Sequence, residues 1–247
     1  MKRKTRQKIS RILLVICIGL FAVVAYQLGT EQYTKWKIQQ EYDRLAAIAQ
    51  AQGQMETEES VYHSPIDFDA LRTINPEIVA WMRIEGTYLD YPILWGTDND
   101  KYLHTTFSGE QNPAGAIFID CRGKGDFSDW NTLIHGHNLL TGTMFELLTE
   151  YKNQSFYDAH PSVMIYLPDK EYRCEIYSAY ETATNDRTYT IHFASRDTFA
   201  AYLNYTAGRS FIATHGQALP EENIITLSTC DYDFYDARMV VQARMIE

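Results

Sequence analysis

The sequence predicts a mainly β protein with a few helices, and three observations carry that expectation. Short apolar, β-branched runs recur through residues 65–247, Gly, Pro and Asn punctuate them, and few segments in that stretch show the one-sided apolar spacing of a helix. Strands are expected at 79–84, 91–94, 116–120, 132–136, 163–167, 173–181, 224–229 and 239–246. Eight short strands with this punctuation suit a closed or nearly closed barrel. A short helix is expected at 66–75, ending before Pro76, and two more at 143–151 and 195–206. In the last of these Phe199, Tyr202 and Leu203 form one apolar stripe.

The N-terminal part reads differently. Lys2, Arg3, Lys4, Arg6, Lys8 and Arg11 precede an uncharged apolar run of 17 residues, 12–28. That length is at the short end of the roughly 17–25 residues a helix needs to cross a bilayer. The basic flank places the N-terminus in the cytoplasm and the rest outside. A cleaved signal peptide is the competing reading, but Ala22-Val23-Val24-Ala25 offers a poor cleavage site, so an uncleaved signal-anchor is adopted. Residues 31–54 read as a helix with Ile38, Tyr42, Leu45, Ile48 and Ala49 on one face, followed by a polar, acidic hinge at 53–64. The expected organisation is thus a cytoplasmic basic tail (1–11), a transmembrane anchor (12–28), a helical stalk or linker (29–64) and a folded body (65–247).

Charge narrows the partners. The chain has 22 basic and 32 acidic residues, and six of the basic ones lie in the first 11 positions, leaving the remainder at -16. An acidic body excludes nucleic acid as the expected partner. Of four cysteines, Cys17 lies in the apolar run, so an odd number remain outside and a disulfide framework is not expected. Cys121 and Cys174 read as small apolar strand residues, with one bridge between them left open.

Cys230 is the residue that points to chemistry. It ends the run Thr226-Leu227-Ser228-Thr229-Cys230, where the apolar pattern gives way to Asp231 and a polar, aromatic turn, and Arg238 opens the next strand. A thiolate attacks carbonyl carbon, a nearby cation stabilises the oxyanion or holds substrate, and a histidine moves protons. His135-Gly136-His137 supplies two histidines at the end of another β-like run. They are read as facing opposite sides of the strand, one toward a site and the other packed or solvated, which disfavours joint zinc binding. On residues alone, a nucleophile and a buried core thiol are both open for Cys230. No Gly-x-Ser-x-Gly elbow, Ser-x-x-Lys or phosphate-cradling glycine loop accompanies it, and no cofactor or metal is expected.

Taken together, the N-terminal anchor, Gly136-His137-Asn138 and Thr226-Leu227-Ser228-Thr229-Cys230 with Arg238 resemble a sortase. Tyr91-Pro92-Ile93-Leu94, Asp98-Asn99-Asp100-Lys101-Tyr102-Leu103 and Gly115-Ala116-Ile117-Phe118-Ile119-Asp120 resemble the class B branch. So do Gly142-Thr143-Met144-Phe145, Ser178-Ala179-Tyr180 and a helix before the seventh strand. The resemblance spans about residues 65–247. It implies an eight-stranded sortase barrel with N-terminal helices, and transpeptidation at the surface of a Gram-positive cell.

By that resemblance Cys230 attacks the threonine carbonyl of a C-terminal sorting signal on a surface protein and forms a thioacyl-enzyme. An amine of a peptidoglycan cross-bridge, a lipid-linked precursor or a pilin then resolves it. His137, the histidine directly after glycine, would protonate the leaving amine and deprotonate the incoming one, and Arg238 would bind the carbonyl or oxyanion. Asn99, Leu103, Thr184 and Ser228 would line the substrate groove. Asp231 stands where a glutamate often follows the cysteine. Asn-Pro-x-Thr signals on haem-uptake proteins are common in the branch, and pilus assembly also occurs. A thiol endopeptidase using water and a non-catalytic membrane-anchored scaffold are the alternatives.

Overall fold

The computed structural model describes residues 2–50, 62–139, 142–230 and 236–246. It divides into two compact units, residues 1–43 and 44–247. The first unit is helical. A single helix, α1 (Lys2–Ala49, 48 residues), starts there and ends in the second unit, so the expected anchor and stalk helices are continuous through Gly29. Its apolar side chains from Leu13 to Leu28 point outward, Phe21 being 76% exposed, and one helix is therefore long and apolar enough to cross a membrane. The expected hinge over 53–64 falls largely outside the described residues.

In the second unit the end of α1 is tied down. Leu45 and Ala49 are buried, and the Asp67 backbone N–H donates to the Ala49 carbonyl at 2.9 Å. The Asp67 side chain then caps α2 (Phe68–Arg72) by accepting from Ala70 N–H. Eight strands follow in a closed barrel: β1 (Ile78–Arg83), β2 (Asp90–Trp95), β3 (Ile117–Ile119) and β4 (Asn131–His135) come first. After α3 (Lys101–His104, between β2 and β3), a hairpin of β5 (Asn138–Leu139) and β6 (Thr143–Met144) stands outside the barrel. Then come β7 (Ser162–Tyr166), β8 (Glu171–Ala183), β9 (Ile224–Cys230) and β10 (Ala237–Ile246). Around the barrel the order is β1-β2-β3-β4-β9-β10-β8-β7, with β7 closing onto β1. The pairs β2–β3 and β4–β9 are parallel and the others antiparallel. All eight strands lie where the alternation of the sequence expects them, within two residues at most ends.

The expected helix at 143–151 is corrected. Thr143 and Met144 are strand, Met144 takes a left-handed backbone (φ 58°), and Phe145–Lys152 then winds as a 3-10 helix. Three residues per turn stack Phe145, Leu148 and Tyr151 on one side, and all three are buried. Their spacing suits a 3-10 turn as well as an α-helix, so the apolar pattern did not separate the two. After α4 (Gln154–Ala159), the long connection between β8 and β9 carries a 3-10 turn (Arg187–Tyr189) and α5 (Arg196–Ala207). A capping box between Ser195 and Thr198 starts α5, and Phe199, Tyr202 and Leu203 pack on Tyr177 and Ile224 of the barrel. Burial of each such side chain stabilises the fold by about 1.5–3 kcal/mol.

Under α5 the barrel wall carries a polar network. Gln242 Nε2 donates to Tyr202 Oη (2.7 Å) and Thr226 Oγ1 (2.9 Å), and its Oε1 accepts from Tyr177 Oη (2.8 Å). Asn131 links Thr226 and Tyr202, and Tyr202 Oη donates to the Thr188 carbonyl at 2.7 Å. The network joins β4, β8, β9 and β10 to the turn that borders the cleft described below. Gln242→Leu is expected to destabilise the protein by about 1–3 kcal/mol for each group left unpaired, seen as a lower denaturation midpoint.

Candidate active site

Three distant segments meet because β4 and β9 run parallel and β10 runs back beside β9. The ends of β4 and β9 and the start of β10 therefore share one rim of the barrel. His135 stands opposite Ser228, and Cys230 stands opposite Arg238. A cleft of about 370 Å³ opens there, lined by Asn99, Leu103, His137, Thr184, Ser228 and Arg238 among others. The backbone of Cys230 ends β9 at this rim; its side chain and the whole of Asp231 lie outside the described residues.

His137 is held from both sides. Its Nε2 is 2.9 Å from the Leu103 carbonyl, which can only accept, so Nε2 carries a hydrogen and Nδ1 is left for other contacts. The Phe145 N–H donates to the His137 carbonyl at 3.0 Å. Two glycines make this approach possible. A Cβ on Gly136 would lie 2.7 Å from the Phe145 ring, and one on Gly115 (φ 58°) would meet the Tyr102 carbonyl and come within 3.0 Å of His137.

On the facing wall Arg238 Nη1 donates to the Ala237 carbonyl at 2.9 Å, and Nη2 lies 3.4 Å from Asp236. Asp236, at φ 64°, also accepts from the Thr184 hydroxyl. Among the described residues, these contacts aim the guanidinium and engage only part of its donor fork. Ser228 Oγ is 3.0 Å from Tyr189 Oη. Tyr189 is presented by the turn that Asp186 nucleates, its carboxylate accepting from Thr188 N–H at 2.7 Å, Tyr205 Oη at 2.6 Å and Arg209 at 3.1 Å. Burial works to raise the Asp186 carboxyl, and the bonds from Thr188, Tyr205 and Arg209 outweigh it and leave it below its ordinary value. Asn99 Oδ1 accepts from Cys121 N–H at 2.8 Å, which fixes the opposite lip.

The expected opposite facing of the two histidines is corrected. Positions two apart in a strand share a face, and both His135 and His137 border the cleft. Among the described residues no group of three or more His, Cys, Asp or Glu is arranged to hold a metal ion. Cys121 and Cys174 are free thiols; Cys174 is fully buried, and burial pushes its thiol well up from its usual range. Sequence reasoning missed Asp120, Arg122 and Tyr189, which also line the cleft. Asp120 could have been noticed as a charge closing an apolar strand, whereas Tyr189 meets Ser228 across 39 residues, which no local pattern encodes.

The sortase domain family matches residues 82–246. Sortase B of Listeria monocytogenes is 31% identical over 252 residues, covering 98% of this chain and 99% of the relative. Sortase B of Staphylococcus aureus is 32% identical over 249 residues, covering 100% of this chain and 99% of the relative. Among solved structures, the Staphylococcus aureus sortase B–substrate complex superposes with a TM-score of 0.73 at 31% identity, covering 88% of this chain and 97% of that one. Sortase B of Clostridium perfringens superposes with a TM-score of 0.69 at 34% identity, covering 73% and 100%. Barrel, cleft and relatives agree: the chain belongs to the sortase family, in its class B branch.

Proposed function

We propose that this sortase is a membrane-anchored cysteine transpeptidase in which Cys230 is the nucleophile, His137 the general acid and base, and Arg238 the oxyanion or carbonyl donor. The Cys230 sulfur bonds to the threonine carbonyl carbon of a C-terminal sorting signal. The C–N bond to the next residue breaks, and His137 delivers the proton to the departing amine. An amine from a peptidoglycan cross-bridge, a lipid-linked precursor or a pilin then attacks the thioester, passes its proton to His137 and releases the sulfur. Asn99, Leu103, Thr184 and Ser228 bind the peptide, and Asp231 extends that groove.

The observation that carries this reading is the register. Parallel pairing of β4 with β9 brings the histidine segment beside the cysteine strand, and Cys230 pairs across to Arg238. The six basic residues ahead of the apolar run support a cytoplasmic N-terminus, a span over 12–28, a stalk over 29–64 and the barrel of 65–247 outside the cell. Screening a pentapeptide library for cleavage and identifying the acyl fragment on Cys230 by mass spectrometry tests the chemistry. Adding an amine separates transfer from hydrolysis: an amide product supports transpeptidation, and hydrolysed peptide alone favours the endopeptidase.

Arg238→Lys is expected to lower kcat/KM by about 10- to 100-fold, because lysine keeps charge but loses the fork and its hydrogen bonds to a developing oxyanion. The thiol should still react with iodoacetamide. Parent-like peptide turnover in this variant would remove Arg238 from the chemistry.

A further inference from the structure

Asp120 and His135 form a pair in the cleft that the roles proposed above leave unused. Asp120 directly follows β3 and is 2% exposed. Its carboxylate accepts from Arg122 Nε and Nη2, each at 2.8 Å, and from the Arg122 backbone N–H at 3.1 Å. It also lies 3.0 Å from His135 Nε2, and since an ionised carboxylate only accepts, that nitrogen carries a hydrogen. Burial works to raise the Asp120 carboxyl, but the bonds from Arg122 and His135 overcome it and hold the group well below the usual carboxylate range. The imidazole is thus tied to a permanent negative charge. Phe118, 5.4 Å away between ring centres, bounds the other side of the ring.

What the pair leaves open is Nδ1. Among the described residues no hydrogen bond engages it, and His135 lines the cleft with its side chain 24% exposed. The charged and titratable groups around the same cleft are Asp120 and Arg122 beside it, His137 on the same segment, and Tyr189 and Arg238 on the other walls. Position along the strand defines the task. His135 is opposite Ser228, two residues before Cys230, and two strand residues span about 6.5 Å. The strand position of His135 is thus about two extended residues' length from that of Cys230.

We propose that His135, whose Nε2–H is held by Asp120, accepts at Nδ1 a hydrogen bond from an N–H of the peptide substrate about two residues from the scissile bond. His135 is then a substrate-binding residue, and Asp120, acting through it, is a positioning residue. The proposal rests on the peptide-cleaving activity proposed above.

The test uses the full-length protein in detergent, internally quenched Asn-Pro-x-Thr-type peptides with x varied, and triglycine as the amine. His135→Phe keeps an aromatic ring against Phe118 and removes the acceptor. It is expected to raise KM about 3- to 10-fold, the usual scale for a hydrogen bond, with kcat changed less. His135→Gln, whose amide oxygen accepts, should recover part of the affinity. Asp120→Asn no longer holds the hydrogen on Nε2, so KM should rise there too with kcat little changed.

Parent-like KM in a folded Asp120→Asn, or a fall in its kcat with KM unchanged, overturns the proposal. These readings stand on folded variants even if His135→Phe does not fold, with thermal unfolding reporting which do. Parent-like KM in a folded His135→Phe overturns the role of His135 alone. A parent that cleaves none of the peptides overturns the activity and this proposal with it.

Discussion

Cys230→Ala is expected to abolish turnover, with a loss of about 10⁵–10⁶-fold, as removal of a covalent nucleophile costs when the rest of a site is intact. Alanine supplies no group that can form the thioester, and a bound peptide would meet only binding contacts and donors. The backbone pairing of position 230 with Arg238 does not depend on the sulfur, so the closed barrel should persist. Cleavage of quenched peptides, together with thermal unfolding and circular dichroism, reads both parts. A folded alanine variant that cleaves like the parent would show that Cys230 is not the nucleophile.

His137→Ala is expected to lower kcat by roughly 10²–10⁴-fold, the scale of a lost general acid–base group. The chief effect should be on kcat because the imidazole is assigned to proton transfer at the departing and incoming amines. His137 is the histidine with a backbone carbonyl on Nε2, and His135 is the one with a carboxylate. Their variants should therefore separate: kcat falls at 137, and KM rises at 135. Equal kcat losses at both positions in steady-state assays would undo the division of roles.

Much of the barrel was legible beforehand because its strands are short, β-branched and bounded by turn residues. The strand at 224–229 could be read from Ile224-Ile225-Thr226-Leu227, and β9 occupies Ile224–Cys230. The segment after Gly142 was not, because apolar residues three apart fit both an α-helix and the 3-10 helix formed. Asn99, Leu103, Thr184 and Ser228 came from family resemblance and border the cleft, while their roles rest on the experiments above. His135 and His137 border the same cleft because positions two apart along an extended chain share a side.

By itself the chain determined where its strands and helices form, how its charge is distributed, and that one cysteine sits where an apolar strand turns polar. Those are local properties, set by side-chain shape, alternation and solvation over a few residues. Only the tertiary structure decided that β4 lies parallel to β9, that Asp120 reaches His135, and that Tyr189 reaches Ser228. Such contacts join residues far apart in the chain, and they are chosen by closure of the barrel and burial of its common core, which no local stretch of sequence contains.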